Sequence, residues 1–203
     1  MDKMVKCSQP QKSQSPAHTP HRREPGPGPQ RTLTLRNRQR LRRVDLRLLR
    51  RIVQALLRET GHDGSFDLAI YLVSAPEITL LNEKFLQHKG STDVITFDYA
   101  EQAGPASRLA SFEARARPSE DRRIPSRPLL HGEIFICLDE AVSQSRRFHA
   151  TWQGELVRYA VHGVLHLLGY DDQNARVRRK MKKAEDTLVR RLAARFEFQR
   201  LSD

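Results

Sequence analysis

The chain has little of what would make it a secreted or membrane protein. It contains two cysteines, Cys7 and Cys137, too few for a disulfide framework and consistent with a reducing compartment. It has no apolar run long enough to span a bilayer. The first thirty residues lack the apolar core of a secretory signal and hold six of the eleven prolines. Aromatic residues are scarce, at 6%, and no aromatic-rich RNA-stacking motif is present. These absences point to a cytoplasmic protein with no membrane segment.

Positive charge is abundant but unevenly placed. Residues 1–60 carry 15 Lys/Arg against 4 Asp/Glu, and residues 173–203 carry 10 against 4. The net charge is +12, so the middle of the chain is mildly acidic. Basic ends of this size suit phosphate groups, most simply those of nucleic acid, although they also serve as solvated surface.

Residues 1–30 read as a disordered, basic, Pro-rich tail. One domain over 31–200 follows, interrupted by a polar surface loop at 100–128. Strands are expected at 31–36, 67–73, 93–97 and 132–137. Helices are expected after Asp45, from Ser74 or Pro76 through Phe85, from Asp139 to about His149, around 155–168, and from Asn174 to Phe198. The fold class is α+β: a mixed four-stranded sheet with about five helices and a metal cleft beside the helix at 155–168.

That helix carries the main chemical signal. His162 and His166 are four residues apart and so share one helical face. Apolar residues cover most of the remaining circumference, which predicts burial. Gly169 can end the helix, and the turn after it can bring Asp172 toward both imidazoles. Two nitrogens and a carboxylate, with an open fourth position, describe a catalytic zinc site. The competing reading is a pair of hydrogen-bonded histidines in the core. In the peptidase motif His-Glu-x-x-His the glutamate is the base. Gly163 occupies that position here, so a base must come from elsewhere: Asp171, Glu133 or the attacked phosphate itself.

The run His162-Gly163-Val164-Leu165-His166-Leu167-Leu168-Gly169-Tyr170-Asp171 resembles the signature of the YbeY family, bacterial endoribonucleases of ribosomal RNA maturation. Leu81-Asn82, Thr92-Asp93-Val94-Ile95-Thr96-Phe97 and Gly132-Glu133-Ile134 resemble further family blocks in the same order. The resemblance covers roughly 31–190. It implies zinc, or nickel or another divalent metal, at His162, His166 and Asp172, in a cleft between sheet and helix. It also implies a hydrolase acting on single-stranded ribosomal RNA, with 16S 3′-end maturation and assembly of the small subunit as its setting.

Thr92 and Asp93 would line the cleft wall or simply start a strand. Glu155 would orient an imidazole or pair with Arg158. This chain departs from the family at two positions. Asp172 stands where a third histidine is usual. Leu86 stands where an arginine is usual, leaving His88 or Lys89 to supply a cation to RNA. Two other functions remain open: an RNA-binding assembly factor with a structural metal, and a metzincin-like hydrolase, the latter disfavoured by Gly163.

Overall fold

The computed structural model describes residues 31–62, 66–99 and 130–202. The tail at 1–30 and the expected loop at 100–128 lie outside the described residues. Four strands, β1 (Arg31–Asn37), β2 (Phe66–Val73), β3 (Val94–Asp98) and β4 (Leu130–Cys137), form one sheet in the order β1-β2-β4-β3. β1 and β4 run parallel to β2, and β3 runs antiparallel to β4 at the edge. Five α-helices are described: α1 (Leu46–Glu59), α2 (Ala75–Leu81), α3 (Leu138–Arg147), α4 (Trp152–Leu167) and α5 (Ala175–Ala193). The mixed sheet and five helices are the α+β architecture expected.

Side-chain alternation assigns the two faces of the sheet. Leu68, Ile70, Leu72, Ile134 and Ile136 point into the main core, against α1, α4 and α5. Val73, Ile95, Phe135 and Cys137 point the other way, where they pack with Ile78, Ala75 and Leu81 of α2. α4 is buried between α3, α5 and the β3–β4 edge. Its apolar circumference therefore reflects contacts on nearly all sides.

Two helix ends differ from the sequence expectation. α2 stops at Leu81, and Asn82–Leu86 forms a π-helical turn closed by Gln87 at φ 57°. Asn82 is buried there and donates from Nδ2 to the carbonyl of Gly90 (2.9 Å), a tether that competes with a regular helical path. α5 ends at Ala193, and Phe198 opens a 3₁₀ turn through Ser202 instead of extending the helix. That turn buries Leu201, whose carbonyl accepts the N–H of Asp45 (2.9 Å).

Candidate metal centre

The site begins at the end of α4. Gly169 adopts φ 87°, a left-handed conformation that favours glycine. Its N–H bonds to the carbonyl of His166 (2.8 Å), and the N–H of Tyr170 bonds to that of Leu165 (3.0 Å). This pair of bonds is a Schellman closure. It folds the chain back so that the Tyr170 carbonyl lies 3.1 Å from His166 Nδ1. Asp171 Oδ1 then accepts the N–H groups of Asp172 (2.7 Å) and Gln173 (3.1 Å), tightening the loop. Arg178 Nε, on α5, donates to the Asp172 carbonyl (2.9 Å). In this arrangement the ligand atoms of His162, His166 and Asp172 lie within 4.8 Å of one another.

The second histidine nitrogen is also committed. His162 Nδ1 lies 3.0 Å from Oε2 of Glu185, which is only 7% exposed. Arg158 donates to Glu185 (2.6 Å) and Asp186 (2.7 Å). Burial raises the pKa of Glu185, but its bonds to His162 and Arg158 outweigh burial and hold it below the ordinary value. Glu185 is thus an ionised acceptor, and the Tyr170 carbonyl can only accept. Both Nδ1 atoms must therefore carry the proton.

Both Nε2 lone pairs then point outward, 3.0 Å apart. Two acceptors at that distance repel unless a cation or a shared proton sits with them. Two nitrogens bound to one tetrahedral zinc lie about 3.3 Å apart. Two preset nitrogens and a nearby carboxylate therefore fit a divalent metal. Burial pulls the pKa of His162 down, but Glu185, Asp93 and Asp172 together raise it. Burial and the neighbouring His162 lower that of His166.

Other residues singled out from sequence fall in different places. Asp93 lies near enough for its charge to act on His162 and Glu155. Its Oδ1 also accepts from Thr92 Oγ1 (3.1 Å) and the N–H of Val94 (2.9 Å), as a strand start requires. Glu133 is not brought to the histidines. Its neighbour Ile134 packs under Gly163 on α4, so Glu133 faces the opposite side of the sheet. There it accepts from the hydroxyls of Tyr71 (3.1 Å) and Tyr99 (3.0 Å).

His88 and Lys89 follow the π-helical turn, and no described bond joins their side chains to the histidines. Leu86 is exposed on that turn. Arg158 forms its ion pairs with Glu185 and Asp186, and acts on Glu155 only through its charge. Glu185 itself was not anticipated. The available signal was a carboxylate on the apolar stripe of Met181, Leu188 and Leu192.

The position of Gly163 has a packing cause. A Cβ there would come within 2.6 Å of Ile134 Cγ2. The helix crosses β4 so closely that even a Cβ would displace Ile134, which disfavours the peptidase glutamate at this position.

Comparison with known proteins agrees with this construction. A family model described as Endoribonuclease YbeY matches residues 34–193. The Endoribonuclease YbeY of Chlorobium luteolum is 31% identical over 151 residues, spanning 74% of this chain and 91% of that protein. That of Chlorobium limicola is 33% identical over 144 residues, spanning 71% and 82%. The solution structure of TM1509 from Thermotoga maritima shares the fold with a TM-score of 0.50 at 22% identity, over 79% of this chain and 89% of that one.

Proposed function

The chain belongs to the Endoribonuclease YbeY family, and on that premise we propose that it is a zinc-dependent endoribonuclease of single-stranded RNA. Its setting is ribosomal RNA processing in the cytoplasm, with 16S 3′-end maturation as the step and the small ribosomal subunit and its proteins as partners. The facing Nε2 atoms of His162 and His166, with Asp172 beside them, carry this reading. Zinc suits two imidazoles and one carboxylate, and nickel or another divalent metal suits them less selectively. When bound, such an ion supplies Lewis-acid stabilisation of phosphate charge and lowers the pKa of water.

The remaining work belongs to the chain. Glu185 and the Tyr170 carbonyl hold a proton on each Nδ1 and so aim both Nε2 atoms into the cleft. The Schellman turn and Arg178 hold Asp172 in place. With Glu133 on the far face, Asp171 or a phosphate oxygen is left as the proton acceptor. Thr92, Asp93, His88 and Lys89 border the RNA path in this proposal. A second reading, an assembly factor with weak or no catalysis and a structural metal, draws on one observation: the exposed Leu86 puts no charge where the family resemblance implies arginine.

The test is cleavage of a single-stranded ribosomal RNA fragment by zinc-loaded protein. His162→Ala should abolish it. Activity that survives the substitution would reject the assignment. Normal 16S maturation in cells carrying a folded, metal-free variant would favour the second reading.

A further inference from the structure

A basic concavity lies away from the histidines, where α1 meets the end of α5. A cavity of about 440 Å³ is lined there by Arg47, Arg51, Arg195 and Arg200, with Phe196 on its wall. Carboxylates in and beside it offset only part of the charge of its four arginines. Asp45 also lines the cavity, but its Oδ1 caps α1 by accepting the N–H groups of Arg47 (2.7 Å) and Leu48 (3.0 Å). Glu59 is shared between Arg191 (3.1 Å) and Arg195 (3.2 Å). Glu197 lines the cavity without an ion pair among the described residues. Arg47, Arg51 and Arg200 have no carboxylate partner among the described residues.

Phe196 adds a second kind of contact. The guanidinium groups of Arg51 and Arg195 lie 5.9 and 5.8 Å from its ring centroid. The ring is partly buried against the core, and its remaining accessible part, flanked by two cations, offers a stacking edge beside a phosphate site. The exposed face of α5 links this cavity to the metal centre. Arg179, Lys183 and Arg190 share that face, opposite the buried Met181, Glu185, Leu188 and Leu192, while Arg191 lies on the flank toward Glu59. From Glu185, beside His162, to Ala193 at the end of the helix is about 12 Å of helical rise.

We propose that this cavity and the basic face of α5 form an RNA exosite, which binds backbone phosphates of the substrate at a distance from the cut. The proposal deepens the endoribonuclease reading and rests on it for the identity of the polyanion. Several separated cations beside an aromatic ring fit a strand of phosphates and bases better than one small anion. An anionic membrane is the weaker match, because the large exposed apolar residues of the described structure lie elsewhere.

The experiment compares full-length zinc-loaded protein with Arg51→Glu/Arg200→Glu and with the charge-matched control Arg146→Glu/Arg147→Glu. Fluorescence anisotropy measures binding of a long single-stranded RNA as salt is varied, and thermal melting checks folding. The exosite predicts about tenfold weaker binding for the first variant only. Losing two phosphate contacts should also lower the salt slope by about 1.4. Arg51→Lys/Arg200→Lys should recover most of the binding.

Equal losses in both charge-reversed proteins would reduce the effect to net charge and overturn the proposal. So would unchanged binding and slope in the first variant. Tight binding of inorganic phosphate, or of phosphatidylserine vesicles, at the expense of RNA would overturn it as well. Wild-type protein that binds RNA through these arginines but never cleaves it would reject the endoribonuclease reading and leave the exosite standing.

Discussion

Glu185 decides which nitrogen of His162 is free. Its carboxylate, 3.0 Å from Nδ1, accepts the hydrogen bond of the Nδ1–H group and turns Nε2 toward His166. It reaches His162 from a different helix, 23 residues further along the chain. The metal centre thus depends on a residue that would touch no metal.

Glu185→Gln should therefore weaken zinc binding by about tenfold to hundredfold without unfolding the protein. Competition with a chromophoric chelator measures this directly. The glutamine would still occupy the space, so an unchanged affinity would show that Glu185 does not set the tautomer.

The third ligand gives a paired prediction. Asp172→Ala should lose the bound metal from a stoichiometric preparation. Asp172→His, which restores the residue usual in the family, should retain it. Elemental analysis of the purified variants checks both, and metal retained by Asp172→Ala would remove Asp172 from the site.

Packing against Ile134 makes Gly163 a stability test. Gly→Ala inside a helix ordinarily gains about 1 kcal/mol in propensity. Here overpacking against a buried, β-branched neighbour costs about 1–3 kcal/mol. Gly163→Ala should be net destabilising, by about 1 kcal/mol, in urea denaturation of the metal-free protein. A more stable variant would mean that α4 can lift from β4 freely.

The ion pair also predicts a pH profile for the metal-free protein. Glu185 has a lowered pKa in the fold, so its contribution is present above its ordinary 4.5 and lost as pH falls through the lowered value. His162 has a raised pKa, so its contribution is complete below its ordinary 6.5 and lost as pH rises through the raised value. His166, lowered by burial, runs the other way and acts in both wild type and variant. The stability difference between wild type and Glu185→Gln should then peak between pH 4.5 and 6.5. A difference that is flat across this range would count against the pair.

The parts of the site legible in sequence are those set by local geometry. Two histidines at helical spacing, a glycine stop and the aspartate after it all lie within one turn-and-loop of chain. The alternation of β4 was equally local, and it places Glu133 opposite Ile134, on the far face from α4. The strand order was not legible. β2 pairs with β4 across an intervening helix and the edge strand β3, and spacing alone does not rank such partners. The π-helical turn at Asn82 was missed because its cause is a side-chain bond to Gly90, eight residues on.

Sequence by itself therefore determined the helix, its stop and the donors it could present, because 3.6-residue periodicity and glycine conformation act over a few residues. It also determined the α+β class, through the order of apolar patterns. Tertiary structure alone decided which donors are usable. Packing of α5 on α4 brought Glu185 to His162, and crossing of α4 over β4 made a side chain at position 163 costly. Those outcomes depend on distances between segments far apart in the chain. Only the folded core, by fixing how closely its layers approach, sets those distances.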